Sequence, residues 1–155
     1  MLVKNMNNTL KRKRREEIET LDDLIELCDS NDKTKEIQKL RKIKPSLEKL
    51  NNMIGMHSVK KNIIYQILYF LQNLNQKGDM LHTVITGPPG VGKTELSKVI
   101  SEIYSELEIL PSGQIIFARR SDLVGEYLGE TAIKTQDVLN SALGGVLVID
   151  ECYSL

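Results

Sequence analysis

Apolar residues recur along this chain in two different periods, and the change of period divides it. From Thr20 to Gly55 the spacing is helical. Leu21, Leu24, Ile25 and Cys28 form one stripe, Ile37, Leu40 and Ile43 a second, and Leu47, Leu50 and Met53 a third. Repeats of three and four residues place one face of a helix against a core. Thr20 precedes the first stripe with Asp23 three positions on, which predicts an N-cap. Asp29-Ser30-Asn31-Asp32 predicts a turn, and Pro45 predicts the end of the second helix. Ser58 then stands as the cap of a longer helix carrying Ile63, Ile64, Ile67, Leu68, Leu71 and Leu74, with its end near Gly78-Asp79.

Beyond that point short apolar runs alternate with helical stripes. Leu81-His82-Thr83-Val84-Ile85-Thr86 is apolar and β-branched, which predicts a buried parallel strand. Leu96, Val99, Ile100, Ile103, Tyr104 and Leu107 return to helical spacing until Pro111 and Gly113 break it. Gln114 to Ala118 predicts a second strand, Thr131 to Leu143 a helix, and Gly145 to Asp150 a third strand. This alternation predicts an α/β fold, a parallel sheet flanked by helices, with an N-terminal helical extension. The chain thus reads as a disordered, Asn-rich basic tail over 1–15, a helical extension over 16–50 and an α/β portion over 51–155.

The chemistry concentrates between the first predicted strand and its helix. Gly87, Pro88, Pro89, Gly90, Val91, Gly92, Lys93 and Thr94 match the phosphate-binding loop pattern GxxxxGK(S/T) without a mismatch. Glycines let the backbone curl so that successive N–H groups point inward at phosphate oxygens. Lys93 brings a flexible positive charge to the β- and γ-phosphates, and the Thr94 hydroxyl is suited to a magnesium ion. A helix starting here aims the positive end of its dipole at the anion. The nucleotide-binding candidates are therefore Gly87 to Thr94, with Glu95 next in line, and the cofactors are ATP and Mg2+.

A second apolar run, Gly145-Val146-Leu147-Val148-Ile149, ends in Asp150-Glu151. It has the form of a Walker B strand, which delivers carboxylates where open α/β sheets bind ligands. Asp150 is the candidate for magnesium and Glu151 for polarising the attacking water. A carboxylate beside the magnesium aspartate favours hydrolysis over transfer to an organic acceptor. Lys93 and Glu151 are the catalytic candidates.

Charge and composition narrow the partners. Lys plus Arg and Asp plus Glu both total 21, so global charge points to neither nucleic acid nor membrane. No stretch has the length and apolarity of a membrane span, and the N-terminus lacks a secretory pattern. Cys28 and Cys152 fit no metal spacing and read as reduced thiols, which places the protein inside the cell, in the cytoplasm or the nucleus. Lys11-Arg12-Lys13-Arg14-Arg15 is a basic block. It reads as a solvated tail, with a nucleic-acid or nuclear-import patch as the competing reading.

Together these residues resemble the AAA+ ATPases. Ile54-Gly55-Met56, the loop at 87–94 and Val148-Ile149-Asp150-Glu151 carry the likeness. The runs from Asp122 to Thr135 and from Ala142 to Leu155 are similar to the group containing stage V sporulation protein K and the red-type rubisco activase. The resemblance covers roughly residues 50–155 and leaves the first 50 without a counterpart. It implies ATP hydrolysis coupled to remodelling or threading of a protein substrate, in a ring-shaped homo-oligomer, a hexamer. It implies that Ile54 and Gly55 sit against the adenine. It also implies a pore loop at Tyr127-Leu128-Gly129, where an aromatic ring and an aliphatic neighbour grip an extended chain.

The resemblance also sets an expectation about extent. The chain stops four residues after Glu151. A complete member adds two strands, a polar sensor, an arginine finger and a helical lid. The chain is therefore expected to be the N-terminal part of the module, truncated after the Walker B strand and inactive alone. Two other functions stay open at this point: a non-hydrolysing regulatory or vestigial fragment that binds nucleotide or a partner, and a nucleic-acid-associated ATPase using Lys11–Arg15.

Overall fold

The computed structural model describes residues 18–74, 81–127 and 129–152. The tail at 1–15, with its basic block, lies outside them, as does Leu128. The chain forms two compact units, residues 1–81 and 82–155.

The first unit is helical: α1 (Leu21–Asp29), α2 (Lys35–Lys42), α3 (Lys44–Asn52) and α4 (His57–Leu71). Thr20 and Asp23 cap α1 reciprocally, the Asp23 N–H donating to Oγ1 of Thr20 at 3.2 Å and the Thr20 N–H to Oδ2 of Asp23 at 2.9 Å. The turn to α2 is fastened by one side chain. Arg41 Nε donates to the Cys28 carbonyl at 2.8 Å, and its Nη2 to the carbonyls of Ser30 and Asp32. Ile43 ends α2 and opens α3, with Pro45 in the first turn, where a missing N–H costs nothing. Lys60 closes the far end of α3, donating to the carbonyls of Asn51 at 2.9 Å and Met53 at 2.6 Å.

The stripes read from the sequence become this unit's core. Leu24, Ile37, Leu40, Ile43, Leu47, Leu50, Ile64 and Ile67 are fully buried. Each contributes about 1.5–3 kcal/mol by leaving water. Two boundaries differ from expectation. Met56, not Ser58, caps α4, because Gly55 and Met56 adopt left-handed backbone (φ 74° and 57°) and launch the helix earlier. The helix also stops at Leu71: Asn73 turns left-handed (φ 51°), and Leu74 is over half exposed instead of packing.

The second unit holds α5 (Lys93–Glu106), β1 (Ile115–Ala118), α6 (Arg120–Leu123), α7 (Glu130–Ser141) and β2 (Val146–Ile149). β1 and β2 run parallel, pairing Ile115 with Val146 through to Ala118 with Ile149. The ladder is extended by Val146 N–H to the Gln114 carbonyl and Asp150 N–H to the Ala118 carbonyl, at 2.9 and 3.0 Å. The connection between the strands runs through α6 and α7, as parallel pairing requires. α5 packs on both strands and buries Leu96, Val99, Ile100, Ile103 and Tyr104.

Two expectations need correction here. Leu81–Thr86 does not form a strand, because β1 and β2 pair with each other and neither bonds to it. Local β-branching favours an extended backbone, but a strand exists only with a neighbour to complete its ladder. The segment is instead tied to α5 by a hydrogen bond between the Thr83 and Tyr104 side chains, and Val84 stands 81% exposed. The strand leading to Asp150 is half-buried instead of buried, with Ile149 exposed, since the described sheet has only two strands. α7 keeps no residue buried, although its sequence carries Ile133 and Leu139. The short helix α6 had no signal in the apolar spacing. Among the described residues no helix is long and apolar enough to cross a membrane.

Candidate nucleotide site

Gly90 and Gly92 both hold left-handed backbone, at φ 79° and 86°. Side chains rarely adopt that conformation, so the loop can turn here only through glycine. Gly92 is the N-cap of α5 and makes no side-chain cap hydrogen bond. The first-turn N–H groups of α5 therefore open toward the loop without an internal acceptor. Those donors and the helix dipole suit an anion.

Lys93, the first residue of α5, turns back over this loop. Its Nζ donates to the carbonyls of Gly87 and Pro88, each at 2.8 Å. Thr94 lies one residue on, and its hydroxyl donates to Oδ2 of Asp150 at 3.0 Å. The strand pairing of β2 with β1 holds Asp150 in place through its backbone N–H. The other carboxylate oxygen, Oδ1, accepts the N–H of Glu151 at 3.0 Å. Glu151 itself is exposed and left-handed at φ 54°. A side chain held in that region costs about 1–2 kcal/mol, and such outliers gather where a group must be aimed. Glu95 pairs with Lys98 at 3.5 Å.

The fold thus brings Gly87 to Thr94 together with Asp150 and Glu151. Ile54 and Gly55 lie in the other unit, on the turn before α4, where Ile54 is 97% exposed. Tyr127 lies between β1 and α7 and is 71% exposed, and Gly129 opens α7 at φ 92°. Leu128 falls outside the described residues. Glu130 and Thr131 bond to the backbone around Tyr127 and were not singled out from the sequence. Their signal is an acidic residue and a threonine directly after a helix-opening glycine.

Known proteins resemble this stretch of chain. Residues 83–155 match the model of the ATPase family associated with various cellular activities, AAA. The chain is 44% identical over 114 residues to a cfxQ-like protein of Acanthamoeba polyphaga mimivirus, covering 73% of this chain and 28% of that protein. It is 39% identical over 120 residues to stage V sporulation protein K of Bacillus subtilis, covering 73% of this chain and 37% of the other. It is 39% identical over 122 residues to the chloroplastic ribulose bisphosphate carboxylase/oxygenase activase of Cyanidioschyzon merolae, covering 74% and 42%. The chain spans well under half the length of each of these relatives. With the phosphate-loop geometry, the parallel strand pair and this match in one stretch of chain, residues 83–155 belong to the AAA family of ATPases.

Proposed function

We propose that the second unit binds Mg2+-ATP and serves an ATPase that remodels or threads a protein substrate. One observation carries the reading. Thr94 and Asp150, from the two ends of the nucleotide pattern, meet at 3.0 Å while Lys93 reaches back over the loop to the carbonyls of Gly87 and Pro88. The donor set fits the cofactor. A hydroxyl and a carboxylate are hard oxygen ligands, suited to an ion that keeps water and phosphate oxygens for its remaining positions. The loop glycines and the open first turn of α5 suit the phosphates.

Each residue then has a role. Thr94 and Asp150 hold magnesium. Lys93 exchanges the carbonyls of Gly87 and Pro88 for phosphate oxygens. Glu151, aimed by its left-handed backbone, accepts hydrogen bonds from the attacking water and orients it. ATP supplies the phosphoanhydride whose hydrolysis drives the work. Tyr127, with Leu128 and Gly129, grips an extended polypeptide, and several copies assemble as a ring. The relatives named above, one of them an activase of another enzyme, support action on a protein.

Calorimetry with ATP and magnesium tests the reading directly. Wild type should bind, and chelation of magnesium should weaken binding by about tenfold or more, as loss of a bridging cation predicts. Equal heats from wild type and Thr94→Ala at every magnesium concentration would remove the metal role from this pair.

A further inference from the structure

Two side chains of the first turn of α7 collect three successive backbone amides from the loop before it. Oε2 of Glu130 accepts the N–H of Glu126 at 3.2 Å and that of Tyr127 at 3.3 Å. Oγ1 of Thr131 accepts the N–H of Gly125 at 3.0 Å. The bonding is returned, because the Glu130 N–H donates to the Tyr127 carbonyl at 3.3 Å. Thr135 fastens the other side by donating to the Leu123 carbonyl at 2.9 Å. The loop base is also closed by contact. A Cβ at position 125 would stand 2.4 Å from Cβ of Glu130 and 2.8 Å from the Thr131 nitrogen, so only glycine lets the chain approach.

This bonding is at odds with a loop built for burial. The backbone of Tyr127 is held while the residue is 71% exposed. Fixing an exposed aromatic gains no burial within the chain. It does remove the entropy otherwise lost when the ring meets a partner. Stacking or packing on an extended chain needs the ring offered at a set height, and holding the backbone fixes where the Cα–Cβ bond starts, leaving only the two side-chain torsions to be ordered.

We propose that Glu130 is a positioning residue: its carboxylate fixes the backbone of Glu126 and Tyr127 and so presents the Tyr127 ring to an unfolded polypeptide. The proposal rests on the polypeptide-gripping reading of Tyr127 given above. It adds the group that makes the grip efficient. Reach matters here, not charge alone. Glutamate spans from α7 back to two amides, aspartate falls short by one methylene, and glutamine keeps an oxygen at the same place.

The test uses the full chain and fluorescein-labelled, reduced and carboxymethylated α-lactalbumin as a permanently unfolded probe. Polarisation gives probe affinity, and hydrogen exchange gives protection at the Glu126 and Tyr127 amides. Glu130→Ala and Glu130→Asp should both weaken probe binding by about tenfold, the loss expected when one residue must be ordered on binding. Both should speed exchange at the two amides. Mg2+-ATP affinity should stay at the wild-type value, and the melting temperature should fall by no more than the loss of a helix cap predicts. Glu130→Gln should restore both binding and protection. Wild-type probe binding by Glu130→Ala, or by Glu130→Asp should the alanine variant not fold, overturns the positioning role while leaving the grip intact. Failure of Glu130→Gln to restore protection overturns it as well. Wild-type binding by Tyr127→Ala overturns the gripping reading, and the proposal falls with it.

Discussion

The hydroxyl of Thr94 meets the carboxylate of Asp150 at 3.0 Å although 56 positions separate them in the chain. Two elements make this possible. α5 begins at Lys93 and so leaves Thr94 at its open end, while β2 ends at Ile149 and delivers Asp150 beside it. Both oxygens of Asp150 are engaged, one by Thr94 and one by the Glu151 N–H. Asp150→Ala should therefore abolish the magnesium dependence of ATP binding, and should also release Glu151 from its left-handed backbone. Titrations with and without magnesium that differ as much in the variant as in wild type would contradict this.

Lys93→Ala removes the cation that lies on the loop carbonyls. Binding of Mg2+-ATP should fall by about tenfold or more, since a charge-assisted bond to phosphate is worth about 1.5–3 kcal/mol. Calorimetry on both proteins is the check, and equal affinities would remove Lys93 from the phosphate site.

Glu151→Gln keeps the size of the side chain and removes its basicity. In an assembly that turns over ATP, nucleotide affinity should hold while turnover falls by about a hundredfold or more, the range for a positioned general base. Phosphate release and nucleotide binding measured on one preparation separate the two effects. Turnover near wild type would leave Glu151 without the role proposed.

Cys28 gives the helical unit a pH dependence of known sign. Its Sγ donates to the Leu24 and Leu40 carbonyls, and burial pushes the thiol up from 9.0 to about 11. Nearby Lys44 and Arg41 pull the other way and only partly offset the burial. The folded state thus holds its proton to higher pH than the unfolded chain. This contribution to stability is fully present below pH 9.0 and is lost as pH rises toward about 11. Urea unfolding of the wild type and Cys28→Ala between pH 8 and pH 11 should show a steeper loss of stability in the first than in the second, the remaining slope coming from Tyr104 and Lys44, whose folded-state values are also raised.

Leu40 is fully buried where α2 meets α1 and α4. Leu40→Ala should cost about 2–5 kcal/mol, whereas Thr20→Ala, which removes one cap, should cost about 1 kcal/mol. Chemical denaturation followed by circular dichroism resolves the two, and similar losses would mean that the core is looser than its burial indicates.

What could be read from the sequence follows the range of each interaction. The box of Thr20 with Asp23 was legible because both partners lie within one turn. The stripes of α1 to α4 were legible because a helix repeats its own face. Leu81–Thr86 misled because strand formation is a property of two segments, and β-branching reports only one. Ser58 misled because the left-handed turn at Gly55-Met56 had already started the helix. Thr94 and Asp150 stand in two separate motifs, and the fold sets them side by side. Glu130 is not legible in this way, because its partners are backbone amides, which carry no sequence letter.

The guanidinium of Arg41 spans the carbonyls of Cys28, Ser30 and Asp32 with one rigid, planar fork. Its consequence is a ruler. Surface connections usually tolerate insertions, but this one must keep the same three oxygens in reach of one side chain. Over evolutionary time the bend between α1 and α2 should therefore drift freely in letter at the exposed Asn31 and hardly at all in length.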